Sequence, residues 1–177
     1  MPVIAWAITG AGHFLAESVE MVREFSTKFH IEVYVSSAAW EVLSMYRLQN
    51  RLDEYATCIV KEAGHSFPCT GKFYEGRYSA LVISPATGNT VSKCALGIAD
   101  SLVSNLFAQG GKSRVPICVL PTDTSPEAIS ITPNGESVRV YPRGIDLQQT
   151  KKLSRIKGVT VVSTPEEVRL WLEKSFL

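Results

Sequence analysis

Short apolar runs alternate along this chain with longer stretches in which apolar residues recur at helical spacing. The short runs lie between turn-forming residues and are typical of strands that are buried on both faces. We predict strands at residues 3–9, 31–36, 80–84, 116–120 and 159–162. Two further short runs, at residues 129–131 and 138–141, flank Pro133-Asn134-Gly135 and predict a β-hairpin.

The longer periodic stretches predict the helices. We place them at residues 14–29, 38–46, 52–62, 91–109 and 146–155, with a last helix behind Thr164 and Pro165. The stretch at 91–109 carries apolar residues on two faces and predicts one long helix that is buried nearly all round. Residues 66–76 are polar and contain glycine and proline, so we predict an exposed excursion there.

The alternation of strands and helices determines the expected fold class. Strands connected through helices run parallel and join by right-handed crossovers. Residues 1–177 therefore predict a single α/β domain with a three-layer, doubly wound, Rossmann-like (flavodoxin-like) sheet that is mostly parallel, with a small β-hairpin excursion.

Composition excludes several classes of partner. Charged residues make up 20% of the chain, and the formal net charge is +1. This balance predicts no nucleic-acid partner and no anionic membrane surface. The apolar start at residues 2–8 lacks a basic region and is too short to span a bilayer, so we predict no membrane association. Cys94 and Cys118 lie inside apolar elements, which predicts buried thiols and a reducing, cytoplasmic location.

A glycine-containing turn follows the first predicted strand. Gly10 and Gly12 invite a dinucleotide-binding prediction, but Leu15 stands where the third glycine of that motif belongs. The second strand ends in Ser36 and Ser37 rather than in the acidic residue that holds a ribose. Hydroxyls and a helix N-terminus favour the phosphate of a mononucleotide over NAD, with a plain tight turn as the alternative.

Two more polar junctions follow predicted strands. Residues 84–93 run from the third strand into a helix, and this junction is either a ligand site or only a helix cap. Pro121, Thr122 and Asp123 follow the fourth predicted strand, and Asp123 is a proton donor, a substrate anchor or a solvated turn residue. His13 contacts a cofactor or substrate, or is a solvated loop residue. Because the carboxyl ends of parallel strands share one rim, the junctions predict a common site for a cofactor that brings its own chemistry.

The chain resembles a known family at these junctions. Residues 8–10, the Ser36-Ser37 turn, the Pro-Ala-Thr-Gly-Asn-Thr block at 85–90 with Lys93, and residues 97–102 are similar to the homo-oligomeric flavin-containing decarboxylase-like flavoproteins. The resemblance implies FMN bound at a subunit interface, trimers and larger closed cages. It also implies that Asn89 approaches the flavin ring edge or the substrate. Together with the strand-end positions, the predicted FMN-binding residues are Thr9, Gly10, Gly12, Ser36, Ser37, Ser84, Pro85, Ala86, Thr87, Asn89, Thr90, Pro121 and Thr122.

Three branches of that family compete. The cysteine decarboxylases carry a Pro-Ala-Met-Asn clamp where this chain has Pro121-Thr122-Asp123, and only His65 stands in for their catalytic histidine. The flavin prenyltransferases share Gly-Ile-Ala-Asp, here residues 97–100. The archaeoflavoproteins and dihydromethanopterin reductases are similar over residues 5–13, the Asn-Thr-Val block with Lys93, and residues 144–147.

The third branch implies the function. It predicts an FMN-dependent oxidoreductase that reduces dihydromethanopterin to tetrahydromethanopterin, with His13, Asn89 and Asp123 as catalytic candidates. Three electron donors stay open: a pyridine nucleotide, NAD(P)H; ferredoxin; and a second flavin. The alternatives are an FMN electron-transfer protein of the ferredoxin-linked archaeoflavoprotein type and a flavin-dependent cysteine decarboxylase. The histidines show no metal-ligand spacing, so we predict no metal site.

Overall fold

Eight strands and seven α-helices alternate along the described chain in a computed structural model that covers residues 1–64 and 66–177. The strands are β1 Val3–Ile8, β2 His30–Val35, β3 Cys58–Lys61, β4 Ala80–Ala86, β5 Ile117–Pro121, β6 Ala128–Ile131, β7 Ser137–Val140 and β8 Val159–Val161. The helices are α1 Leu15–Phe25, α2 Ser37–Met45, α3 Gln49–Tyr55, α4 Gly88–Leu96, α5 Leu102–Lys112, α6 Gly144–Leu153 and α7 Pro165–Phe176, with a 3-10 helix at Pro68–Phe73.

Six of the strands form one parallel sheet. Their order is β3-β2-β1-β4-β5-β8, and every neighbouring pair runs in the same direction. The chain builds outward from β1 in one direction and then returns to add β4 on the other side of β1. The sheet therefore has a topological switch point between β1 and β4, where α/β proteins bind ligands at the carboxyl ends of the strands. This topology confirms the predicted doubly wound fold.

Helices cover both faces of the sheet and enclose two apolar cores. In β1, Ile4, Trp6 and Ile8 contribute to the core shared with α1, α2, α3 and α7, whereas Ala5 and Ala7 contribute to the core shared with α4, α5 and the 3-10 helix. Both sets are fully buried. A strand that is buried on both faces needs apolar residues at every position, which explains why the runs are continuous rather than alternating.

Two of the four cysteines lie inside these cores. Cys94 of α4 and Cys118 of β5 are buried, as predicted. Burial disfavours the charged thiolate and raises the pKa of each thiol to about 12.

The helix predicted at 52–62 is wrong over its second half. Helix α3 ends at Tyr55, Ala56 is extended, and Cys58–Lys61 forms strand β3 beside β2. Ile59 and Val60 are β-branched residues that suit a pleated edge strand. No glycine or proline separates α3 from β3, so the spacing of apolar residues alone did not show where the helix ends and the strand begins.

The single helix predicted at 91–109 is also wrong. Helix α4 ends at Leu96, because Gly97 takes a left-handed backbone with φ of 76° and its N–H returns to Cys94. Ser101 then starts α5 with a capping box shared with Ser104. Leu96 at the end of α4 and Ile98 just after it are 53% and 44% exposed, so the segment is not buried all round. Both helices pack on the same core. Apolar residues therefore recur at helical spacing on both sides of the break, and the sequence resembles that of one long helix.

The excursion predicted at 66–76 is only partly exposed. The 3-10 helix buries Thr70 and Phe73, and Phe73 packs against Tyr78 with its ring centroid 4.8 Å away. The prediction of an exposed segment is therefore wrong at these positions, because one aromatic side chain is enough to attach the segment to the core.

The predicted hairpin is confirmed and stands outside the main sheet. Strands β6 and β7 pair antiparallel, with Ala128 opposite Val140 and Ile131 opposite Ser137. Ile129 is 59% exposed and Val138 is 40% exposed, although they point to opposite faces of the hairpin. Within the described residues, no helix is both long enough and apolar enough to cross a membrane.

Candidate functional site

A cleft opens at the switch point between β1 and β4. Its volume is about 310 Å³, and the predicted residues that line it are Thr9, Gly10, Ser36, Thr87, Asn89 and Thr90. We call it the switch-point cleft. Sequence reasoning missed the remaining lining residues, which are Ala38, Glu62, Ser101 and Val103. The ends of four strands (β1, β2, β3 and β4) and the first turns of α2, α4 and α5 therefore meet at this cleft.

The N-terminus of α4 forms one wall of the switch-point cleft. Thr87 caps the helix by accepting the N–H of Thr90 at 3.3 Å. The first N–H groups of a helix have no partner within it, which leaves those of Gly88 and Asn89 available for a ligand in the described structure. Such a helix end binds anions well, because the N–H groups and the helix dipole both favour negative charge.

Thr9 locks this wall to the end of β1. Its hydroxyl donates to the carbonyl of Pro85 at 2.8 Å and accepts the N–H of Thr87 at 2.8 Å. Strand β4 continues through Pro85 to Ala86, with an irregular register against β5 and a cis bond between Ser84 and Pro85. The Thr9 hydroxyl thus positions the junction as well as lining the cleft.

Other predicted residues lie beneath the cleft rather than in its wall. The hydroxyl of Ser84 is fully buried and bonds to that of Ser18 at 2.8 Å, while the Ser84 carbonyl accepts from the Trp6 indole. Ala86 and Pro121 are buried where β4 and β5 end, and the N–H of Thr122 donates to the Ala86 carbonyl at 2.9 Å. These residues form the floor of the site.

Glu62 connects two walls of the switch-point cleft. One carboxylate oxygen accepts the N–H of Ser37, the first residue of α2, at 3.0 Å, and the other accepts the N–H of Leu102, the first residue of α5, at 2.7 Å. A carboxylate at a helix N-terminus is favoured by the helix dipole. Sequence reasoning missed Glu62 because it follows β3, the strand that the helical prediction had hidden.

Replacing Glu62 by alanine should weaken the fold at this point. We expect a loss of about 1–2 kcal/mol in the free energy of unfolding, since two charge-assisted bonds disappear from a half-buried side chain. Urea titration of the variant measures the loss. Glu41→Ala on the exposed face of α2 is the control and should change the stability by less than about 0.5 kcal/mol. Equal effects from the two variants would contradict the bridging role.

A second, smaller cavity adjoins the switch-point cleft. It has a volume of about 200 Å³ and lies between the loop that follows β1, the end of β5 and the β6–β7 hairpin. We call it the hairpin pocket. Its predicted lining residues are Gly12, His13, Thr122 and Asp123, and its unpredicted ones are Ala11, Ala128, Ser130 and Val140. The structure thus divides the predicted residues between two neighbouring cavities, with the loop from Gly10 to His13 between them.

The hairpin pocket holds two titratable side chains whose charged forms are disfavoured. Burial lowers the pKa of His13, although Glu17 and Asp123 oppose this effect. Burial also raises the pKa of Asp123, and the neighbouring Asp146 raises it further, against the Thr122 hydrogen bond and the charges of His13 and Arg143. Paired groups whose pKa values are moved from their ordinary values are typical of acid–base sites.

Two close contacts fix the shape of the hairpin pocket. A Cβ at position 12 would lie 2.1 Å from the Tyr46 hydroxyl, so any larger residue there would force the Tyr46 side chain to move. That hydroxyl donates to the carbonyl of Ile131 at 2.6 Å and so ties the hairpin to α2. Phe14 follows with φ of 64°, an uncommon backbone for a bulky residue, and its ring stacks 3.7 Å from that of His13.

Position 65 carries the histidine proposed for decarboxylation, and it lies outside the described residues. Among the residues that the structure does describe, no group of three or more metal-binding side chains converges.

The chain is similar to proteins of known name over nearly its whole length. It is 46% identical to a dihydromethanopterin reductase (acceptor) of Methanosarcina mazei over 84% of this chain, although it spans only 62% of that protein. A dihydromethanopterin reductase (acceptor) of Methanocaldococcus jannaschii is 30% identical, with 93% of each chain covered.

A solved structure with the same fold adds to these relatives. The Burkholderia xenovorans DmrB in complex with FMN, described as a cubic protein cage for redox transfer, superposes with a TM-score of 0.88 and 35% identity over 98% of this chain and 94% of that one. The model of the Flavoprotein family matches residues 2–175. The chain therefore belongs to the Flavoprotein family.

Proposed function

We propose that this protein is an FMN-dependent oxidoreductase that reduces dihydromethanopterin to tetrahydromethanopterin. The observation that carries the proposal is the pairing of two cavities at one switch point: a cleft with a helix N-terminus suited to an anion and, beside it, a pocket that Asp123 and His13 line together. Burial raises the pKa of Asp123 and lowers the pKa of His13. The names of the two reductase relatives support the substrate.

The residues of the switch-point cleft fit FMN. Gly10 packs closely on α2, and a Cβ there would lie 2.7 Å from Ala38 Cβ. Position 10 therefore presents its backbone, rather than a side chain, to the cleft. Thr87, Asn89 and Thr90 at the N-terminus of α4 supply hydroxyl, amide and N–H donors suited to a phosphate. Val103 adds an apolar surface on the opposite wall. The FMN complex of the similar DmrB supports this assignment.

The reduction needs one hydride and one proton. A carbon–nitrogen double bond of the pterin ring takes the hydride at carbon and the proton at nitrogen, and reduced FMN supplies the hydride. Asp123 is the proton donor in this proposal, because burial favours its protonated form. His13 lines the same pocket and returns a proton from solvent to the Asp123 carboxylate. Asn89 orients the substrate from the adjoining cleft.

We also propose that the protein works as a homo-oligomer with FMN at subunit interfaces, as a trimer or a larger closed cage. The cubic cage of DmrB supports an assembly of this type. The hairpin is also consistent with such an assembly. Ile129 and Ile131 of the hairpin and Tyr141 just after it are exposed apolar side chains that a neighbouring subunit could cover. A two-stranded hairpin is marginally stable alone and gains from a covering surface.

The test is an anaerobic reoxidation experiment on the FMN-loaded protein. We expect reduced protein to be reoxidised by dihydromethanopterin, with flavin absorbance as the readout. Asp123→Asn should slow this step by about 100-fold, since it removes a general acid, and should leave FMN content unchanged. Asp53→Asn, on the exposed face of α3, is the matched control.

The same experiment separates the alternatives. Reduced protein that ignores the dihydropterin but passes its electrons to an oxidised ferredoxin would contradict the reductase and leave an electron-transfer protein. Reduction of the flavin by NAD(P)H or by reduced ferredoxin, each added alone, identifies the electron donor. Protein that retains no FMN at all would refute both functions.

A further inference from the structure

A buried carboxylate lies behind the hairpin pocket, and the proposed reaction does not use it. Asp146, in the first turn of α6, is only 7% exposed. Its oxygens accept two bonds from the guanidinium of Arg143, each at 2.8 Å, and one from the Arg143 N–H at 3.1 Å. The arginine side chain itself is exposed, at 77%. The Arg143 N–H bond makes Asp146 part of a capping box at the start of α6, whereas an ion pair to an exposed arginine adds little to stability.

Helix α6 brings this carboxylate close to Asp123. A Cβ built on Gly88 would lie 2.5 Å from Oδ2 of Asp123 and 3.3 Å from Oδ1 of Asp146. Both carboxylates therefore flank one α-carbon, within the roughly 6 Å over which like charges influence each other's protonation. The same helix fixes the loop of Asp123, because Thr150 Oγ1 donates to the Asp123 carbonyl at 2.9 Å.

A negative charge this close disfavours ionisation of the other carboxyl, and the surroundings decide which of the two carboxyls holds a proton more firmly. The hydrogen bond and charge of Arg143 lower the pKa of Asp146, which therefore stays an anion. Asp123 has no guanidinium of its own; it faces the Asp146 charge, the Thr122 hydroxyl, His13, the more distant Arg143 and the positive end of the α4 dipole. The last four favour its anion, whereas burial and Asp146 favour its acid.

We propose that Asp146, anchored by Arg143, is a positioning residue whose fixed negative charge, held across Gly88 from the Asp123 carboxyl, favours the proton on Asp123 for delivery into the hairpin pocket. This inference rests on the proposed function in one respect, that the pterin substrate accepts the proton from Asp123. The proton leaves Asp123 for the substrate nitrogen, and solvent replaces it through His13. Asp146 keeps its charge throughout and touches neither substrate nor cofactor.

The direct test is a titration of the Asp123 carboxyl by carbon NMR, on FMN-loaded protein with labelled aspartate and without substrate. The wild-type midpoint should lie above that of an ordinary aspartate. In Asp146→Asn it should move down toward the ordinary value, because the like charge is gone. The asparagine oxygen still accepts the Arg143 N–H, and Asp146→Ser offers a hydroxyl for the same bond, so two variants preserve the start of α6. Asp53→Asn is the control and should not move the midpoint.

A kinetic readout follows from the same proposal. Reoxidation by dihydropterin should fall as pH rises through the Asp123 midpoint, and in Asp146→Asn the fall should begin at lower pH, with about a 10-fold slower rate above the shifted midpoint. An ordinary midpoint in the wild type, or an unchanged one in both variants, would overturn the proposal. A shifted midpoint in a protein that does not reduce the pterin would refute the proposed function and leave the coupling of the two carboxylates intact.

Discussion

Glu32→Gln is expected to lower the free energy of unfolding by about 3 kcal/mol, because it removes the anion at the centre of a buried polar cluster. Glu32 lies in β2 and is 1% exposed. Its carboxylate accepts from Lys72 at 3.1 Å, from Arg77 Nε at 2.7 Å and from the Tyr78 hydroxyl at 2.5 Å. Tyr34 and Tyr78 also bond to each other. Glutamine has nearly the same volume, but it leaves two cations without an anion.

The same cluster predicts how stability depends on pH. Although burial acts in the opposite direction, the bonds from Tyr78, Arg77 and Lys72 lower the pKa of Glu32 from 4.5 to about 2. A carboxyl whose pKa is lower in the folded state stabilises the protein above its unfolded pKa. The wild type should therefore lose this contribution between about pH 4.5 and about pH 2, and its stability should approach that of the variant there.

Urea unfolding at several pH values measures both effects. Glu127→Gln is the matched control, because Glu127 pairs with Arg139 at 2.6 Å but both side chains are largely exposed. We expect that variant to lose less than about 0.5 kcal/mol. Similar losses for the buried and the exposed glutamate, or a Glu32 effect that does not change with pH, would refute the role of the cluster.

Gly88→Ala is expected to reduce turnover of the dihydropterin by about 100-fold, while the protein still folds and binds FMN. The new Cβ would lie 2.5 Å from Asp123 Oδ2, so the Asp123 carboxyl has to rotate away or the first turn of α4 has to move. Displacing a reacting group by about 1 Å can cost a factor of 100 in rate. Steady-state kinetics and the FMN content of the purified variant are the measurements.

Gly144→Ala is the control for this substitution. Gly144 is likewise the first residue of its helix, and a Cβ there meets nothing within 4 Å. That variant should keep the rate of the wild type. If Gly88→Ala also keeps it, Asp123 does not donate the proton from the position that the structure gives it.

The sheet shows what the sequence could and could not predict. Continuous apolar runs identified β1, β2, β4 and β5, because strands buried between two layers of helices need apolar residues at nearly every position. Strand β3 lies at the edge, and Cys58 and Lys61 are exposed. Its hydrophobic signal is therefore weak, and no glycine or proline separates it from α3. The strand at the opposite edge, β8, was predicted because Gly158 and Pro165 bound its short apolar run. Because β3 was not predicted, neither Glu62 nor the outermost strand of the sheet was identified from the sequence.

The candidate site was predicted as a set of strand ends but not as two cavities. Parallel strands bring their carboxyl ends together, so Thr9, Thr87 and Asp123 were predicted at one rim and lie there. The division of the site into two cavities depends on side-chain contacts between distant segments, such as the bond from the Tyr46 hydroxyl to the Ile131 carbonyl. Asp146 depends on the packing of α6 against α4. Spacing along the chain carries no information about such contacts.

The buried thiols of Cys94 and Cys118 bear on the resistance of this protein to oxidative damage. Oxidants attack the thiolate rather than the thiol, and a pKa of about 12 leaves almost none of either thiol ionised at neutral pH. Oxidation of either thiol to a sulfenic acid would place a polar group inside a tightly packed part of α4 or β5. The burial that packs these two elements also protects their sulfur atoms.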